Sequence, residues 1–385
     1  MYPMRRLFLA LSLAVLIAGI WTASAYKPPT RSFQSEKVAF RLETVAKNLD
    51  HPWGLAFLPG KSGFIVTERR GRLVHIALDG QKTEIRNVPA VFAENQGGLL
   101  DILVPSDFKD GDWIYFTAAI ADPRHPDSAG TEALRARLYV SQARLDKVES
   151  VFKQKPKIES GHHFGSRLVL APDNTLYITA GERGEQDQAQ NPANHQGVVA
   201  RINPDGSLPE DNPYLNDPKI LPEIFSYGHR NPQGLALNPD TGQIWEVEHG
   251  PQGGDEINIL KTGANYGWPA VTFGRNYVIG TKISEYTHLD GMEDPIWQWT
   301  PSIAPSGMAF YTGNVFPEWR DNLFVGALAH RHLERMEIED NKIVHREILM
   351  QEFGKRIRDV RNGPDGTLYL LTDEDDGELL RLKPL

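Results

Sequence analysis

One phrase recurs six times in this 385-residue chain: an apolar alternating run, a turn built from Pro, Asp, Gly or Asn, and a second apolar alternating run. The copies are Leu55–Phe57 into Phe64–Val66, Leu99–Val104 into Trp113–Phe116, and Leu168–Leu170 into Leu176–Ile178. Three more are Leu235–Leu237 into Ile244–Val247, Met308–Phe310 into Leu323–Val325, and Val360 into Leu368–Leu370. β-branched and aromatic runs around tight-turn residues read as β-hairpins. The turn prolines Pro59, Pro105, Pro172, Pro239, Pro317 and Pro364 lie 46, 67, 67, 78 and 47 residues apart, enough for a four-stranded unit plus a loop. Several copies add a third strand, as in Gly71–Ile76, Val198–Ile202 and Glu378–Leu382. The expected fold is therefore all-β, a six-bladed β-propeller of four-stranded antiparallel blades, over residues 26–385 as one unit. A β-sandwich does not predict a repeated phrase. Extra length falls at about residues 120–160, 183–232 and 250–305, where long loops are expected to carry function.

Met1–Ala25 places Arg5-Arg6 before the apolar run Leu7–Ile20 and the small residues Ala23-Ser24-Ala25, the pattern of a secretory signal peptide with cleavage before Tyr26. The run is short of the roughly 20 residues a spanning helix needs, so no transmembrane anchor is expected after processing. The expected location is the periplasm, with membrane association left open. With no cysteine, the chain has no disulfides, thiolate metal sites or thiol nucleophiles, so a metal must be held by oxygen or imidazole. A net charge of −9, or −11 once Arg5 and Arg6 are removed, argues against nucleic acid as a partner.

Four motifs could carry chemistry. In Gly161–Arg167, His163 precedes a strand and is a candidate general base, although an isolated histidine is more often structural or merely exposed. Glu182, after the next strand, either orients that imidazole or is a solvated loop carboxylate. Tyr227–Gly234 sets Arg230 beside Asn231, which suits an anionic or carbonyl oxygen and equally an Asn-Pro turn. Arg356 and Arg358 alternate on a strand and share a face, as a carboxylate clamp or as a charged edge. Glu248–Glu256 is glycine-rich and acidic without an EF-hand or phosphate-loop pattern, so it is a turn or a site for a hard cation such as calcium. Asp373–Asp376 reads as a solvated hairpin tip.

Together these segments resemble the glucose/sorbosone dehydrogenase family, and within it the periplasmic aldose sugar dehydrogenases that use pyrroloquinoline quinone (PQQ). The resemblance runs from His51-Pro52-Trp53-Gly54 to Arg356–Val360. It is carried by Gln96–Leu100, His163 with Ser166-Arg167-Leu168, Gly228–Gly234, Glu248–Pro251, Asn265–Pro269 and Ala304-Pro305-Ser306. It implies a six-bladed propeller that oxidises aldoses at the anomeric carbon to lactones. His163 would be the base, held by Glu182 where an aspartate is usual, and Arg230 would stabilise charge on the quinone. Gln96 and Asn231 would contact the cofactor, and Arg356 and Arg358 would bind its carboxylates. Carbonyls of Gly250 and Pro251 would hold the calcium that polarises the quinone, and Glu256 with the Tyr266 carbonyl would hold a second one. Where glucose-specific relatives carry a cofactor-binding lysine, this chain reads Leu328-Ala329-His330-Arg331-His332, with Arg331 the candidate substitute. The electron acceptor stays unspecified, and a monomer is expected. Two rivals are a calcium-dependent lactone hydrolase, which needs a carboxylate cage around its metal, and a non-catalytic glycan- or protein-binding propeller. The arginine pair counts against the first, and the joint presence of His163, Arg230 and that pair against the second.

Overall fold

The structure is a computed structural model and describes residues 31–385, so the signal-peptide reading lies outside the described residues. Each of the six phrases forms the inner hairpin of one antiparallel sheet. The first blade comprises β3 (Pro52–Phe57), β4 (Phe64–Glu68), β5 (Arg72–Ile76) and β6 (Lys82–Ile85), after β1 (Ser32–Gln34) and β2 (Ala39–Leu49). The second has β7 (Leu99–Leu103), β8 (Trp113–Asp122), β9 (His125–Tyr139) and β10 (Arg144–Lys153). The third has β11 (Leu168–Leu170), β12 (Leu176–Ala180), β13 (Val198–Ile202) and β14 (Ile224–Tyr227). The fourth has β15 (Pro232–Leu237), β16 (Ile244–Glu248), β17 (Asp255–Ile259) and β18 (Trp297–Trp299). The fifth has β19 (Pro305–Phe310), β20 (Leu323–Ala327), β21 (Leu333–Glu339) and β22 (Lys342–Leu349).

The sixth blade departs from four strands. Its β23 (Ile357–Asn362), β24 (Leu368–Thr372) and β25 (Gly377–Pro384) are completed by β2 from the N-terminal end, with β1 added outside, so it has five. Pairing of Phe40 with Pro384 and Leu49 with Gly377 joins the two ends of the chain and closes the ring without a covalent link. Each inner strand packs beside the next, and β23 packs back on β3.

The core lies between blades. Strands β4, β12, β13, β16, β20 and β24 are buried along their whole length, because each sheet is covered on both faces by its neighbours. Trp245 of the fourth blade, fully buried, meets Phe310 of the fifth edge to face at 5.2 Å. Phe40 meets Trp319 in the same way at 5.2 Å across the closure blade and the fifth. Among the described residues there is no α-helix, and no helix is long and apolar enough to cross a membrane.

One expectation about loops is corrected. Most of residues 120–160 extends β8, β9 and β10 as paired strands, and the long loop begins only after Lys153. The excess after Leu260 does leave the sheet as far as β18, and it returns Asn265 to pair with Tyr227.

Candidate functional site

All six inner strands run in one direction along the ring axis, so the segments entering them gather at one end of the propeller. Trp53, Gln96, Gly165, Asn231, Ala304 and Arg356 come from six blades and line one axial pocket of about 250 Å³. Among the described residues its wall contains Arg69, Arg356, Arg358 and His249 and no carboxylate. His163 and Arg356, 193 positions apart in sequence, thus belong to the same end.

His163 sits in the loop before β11 with a left-handed backbone, φ 54°. Its main-chain N–H donates to the Gln96 Oε1 at 2.8 Å, which fixes the loop against the second blade. Its Nδ1 lies 2.6 Å from Glu182 Oε2, and Glu182, 1% exposed, also accepts from the Gly184 N–H at 3.0 Å. The carboxylate therefore selects the tautomer with the proton on Nδ1 and leaves Nε2 as the free base. Burial lowers the His163 pKa below 6.5 and the charge of Arg230 lowers it further, against the opposing pull of Glu182. Burial raises the Glu182 carboxyl, yet the hydrogen bond and charge of His163 bring it below its ordinary value. Glu182 is thus no solvated loop residue.

Arg230 donates from Nη1 to the carbonyls of His249 at 2.9 Å and Gly250 at 3.0 Å, and lies over the Trp268 ring. The sequence reading missed how it is held: Glu248 accepts from the main-chain N–H groups of Arg230 and Asn231 and from His229 Nδ1. Asn231 Oδ1 accepts from the Gly165 N–H at 3.1 Å and from Gln233 Nε2 at 3.3 Å. His249 is driven down to about 3 by burial and by the neighbouring charges of Arg230 and Arg358. The pocket wall thus carries arginines and, among the described residues, no carboxylate, although the chain is acidic.

Arg356 and Arg358 converge on one oxygen, Asp373 Oδ2, at 3.1 and 2.7 Å. Asp373 Oδ1 takes His51 Nδ1 at 2.9 Å. Burial pushes the Asp373 carboxyl up, but the two guanidinia and the His51 bond hold it far below the carboxylate range. This corrects the reading of Asp373–Asp376 as a solvated tip: Asp375 and Asp376 are exposed, while Asp373 is 4% exposed and orients the arginine pair. A run of four acids in sequence gave no sign that its first member turns inward.

Below the pocket, Arg167 is 1% exposed. It donates to the carbonyls of Gln233 at 2.7 Å and Arg358 at 3.0 Å, and pairs with Asp101 at 3.2 Å and Asp359 at 2.9 Å. Its guanidinium lies 4.1 Å from the Trp53 ring centroid, so it supports the pocket floor.

Glu256 pairs with Glu248 across β16 and β17, and Glu246 lies on the same strand pair. All three are buried, and burial together with the Glu248 charge pushes Glu246 and Glu256 well above the ordinary carboxylate range. Glu256 and Tyr266 border a void of about 10 Å³ together with Glu248 and Gly250. Asp255 holds the loop by accepting from the Gly250 N–H at 2.8 Å. Closely set buried carboxyls whose pKa values are raised are hard oxygen donors that a divalent cation of the calcium type would deprotonate and bind. Arg331 is exposed and donates to the Gly354 carbonyl at 3.3 Å; it is outside the pocket wall, where Leu328 stands instead.

The family model described as Glucose / Sorbosone dehydrogenase matches residues 49–381. Aldose sugar dehydrogenase YliI of Escherichia coli (strain K12) is 40% identical over 385 residues, covering 99% of each chain. A crystal structure of a glucose dehydrogenase is 45% identical with a TM-score of 0.85, over 88% of this chain and 98% of that one. The PQQ-bound form of an aldose sugar dehydrogenase from Streptomyces coelicolor is 28% identical with a TM-score of 0.74, over 92% of this chain and 99% of that one.

Proposed function

The chain belongs to the glucose/sorbosone dehydrogenase family, and from that premise we propose that it oxidises aldose sugars at the anomeric carbon to lactones, using PQQ with calcium. The observation that carries this reading is the meeting, at one end of the ring, of a neutral imidazole–carboxylate pair, Arg230 and an arginine-lined pocket free of carboxylates.

The residues present fit both groups. A tricarboxylate matches a wall of guanidinia that, among the described residues, are countered by Asp373, and there the buried Nε of Arg358 has no hydrogen-bond partner. Arg356 and Arg358 would hold cofactor carboxylates, with Gln96 and Asn231 as further contacts. Carbonyls of Gly250 and Pro251 would hold calcium beside Arg230, and Glu256 with the Tyr266 carbonyl a second, structural one. When bound, the quinone supplies a two-electron acceptor for the hydride and calcium supplies Lewis-acid polarisation.

In the reaction, His163 Nε2 takes the proton of the anomeric hydroxyl while the C1–H bond gives up its electron pair, leaving C1=O of the lactone. Glu182 stabilises the resulting imidazolium, and Arg230 provides a fixed cation where negative charge develops. A lactone hydrolase would require a carboxylate cage at the axis, and the axial pocket has none. The pattern of residues 1–25 supports export to the periplasm, with residues 26–385 as one catalytic unit.

The test is reconstitution: protein purified without cofactor should reduce an artificial acceptor dye with aldoses only after both PQQ and calcium are added. Activity with neither, or none with both, would overturn the proposal. A pH profile gives a second check. His163 must be neutral to act, and its pKa is lowered, so the acid limb of kcat/KM should have its midpoint below 6.5. A midpoint above that value would mean that another group limits the reaction.

A further inference from the structure

Three arginines line the axial pocket, and the family resemblance assigned only two of them. Arg356 and Arg358 are both bonded to Asp373, and each has a further protein acceptor, Leu328 O and Gln233 Oε1. Arg69 differs. Among the described residues its hydrogen bonds are main-chain alone, from its N–H to His51 O and from the Leu99 N–H to its own carbonyl. Among the described residues its guanidinium, on the wall of a pocket lined by no carboxylate, has neither a hydrogen bond nor an ion pair. It is half-buried, so its charge is only partly screened by water.

The backbone around Arg69 is built for close approach. Gly98 has φ 136°, and a Cβ there would lie 2.7 Å from Arg69 Cγ and would collide with the Arg69 carbonyl. Gly98 therefore lets the second blade press on the Arg69 stem beside the pocket. Arg331, offered by sequence as the replacement for the family lysine, is spent on the Gly354 carbonyl at the surface.

We propose that Arg69 is the third carboxylate-binding arginine of the cofactor site and does the work that the resemblance gave to position 331. This rests on the PQQ reading above. It explains how a tricarboxylate is matched by three guanidinia although the expected lysine is missing.

The experiment is titration of the calcium-loaded full chain with PQQ, following binding by calorimetry and by the cofactor's absorbance, for wild type, R69Q, R69K, R358Q and R331Q. One charge-assisted hydrogen bond lost at this site corresponds to a dissociation constant about 10- to 100-fold higher for R69Q. R69K should recover part of that loss, R331Q should bind as wild type does, and the salt dependence of binding should be shallower in R69Q. Because glutamine keeps the packed stem and no side-chain hydrogen bond or ion pair among the described residues is removed, the melting temperature of R69Q should match wild type. Wild-type affinity in R69Q, with binding lost in R358Q, would overturn the assignment of Arg69 alone. Failure of the wild type itself to bind PQQ would overturn the cofactor reading on which it rests.

Discussion

His163→Gln is expected to lower kcat by about 10²- to 10⁴-fold, the range set by removing a general base, while PQQ still binds. Glutamine cannot accept a proton at neutral pH, but it leaves the main-chain bond from residue 163 to Gln96 available and keeps the left-handed turn non-glycine. The pocket wall includes Phe164 and Gly165 and not His163, so cofactor uptake should be largely unchanged. Single-turnover kinetics with saturating PQQ separates the two steps. A variant that turns over normally once loaded, and only loads poorly, would make His163 a binding residue.

The largest expected effect on stability is at Arg167. Arg167→Met keeps much of the side-chain volume and removes every donor, leaving the Gln233 and Arg358 carbonyls and part of the charge of Asp101 and Asp359 unpaired in the core. Breaking a buried ion network from one side costs about 3–5 kcal/mol. Arg361 still reaches Asp101 at 2.7 Å and Asp359 at 2.9 Å, which places the loss toward the lower end of that range. Denaturant unfolding measures it as a fall in midpoint at constant slope. A loss below about 1 kcal/mol would show that Arg361 alone satisfies both carboxylates.

The two residues also mark how far the sequence could be read. His163 is visible as a candidate before a strand, but only the family resemblance raises it above a structural histidine. Its partner Glu182 could be named from the position after the following strand, and the 2.6 Å contact places it there. Arg167 stood in a motif without a role, since its acceptors lie in the second, fourth and sixth blades. Asp373 was misread for a similar reason: local composition describes the turn it belongs to and not the arginines that cross to it. Arg69, in the polar pair Arg69-Arg70, gave no signal at all, because the difference between them is only that one faces the axis and the other solvent.

The sequence by itself determined the architecture, because six copies of one hairpin phrase bury their apolar faces against like neighbours when they stack as blades around an axis. Tertiary structure alone decided that a strand from the N-terminal end completes the last blade, that Glu248 fastens Arg230, and that three arginines share one acid-free wall. Those relations join positions tens to hundreds of residues apart. Their energies depend on distance, burial and the surrounding charge, quantities that exist only once the ring has closed.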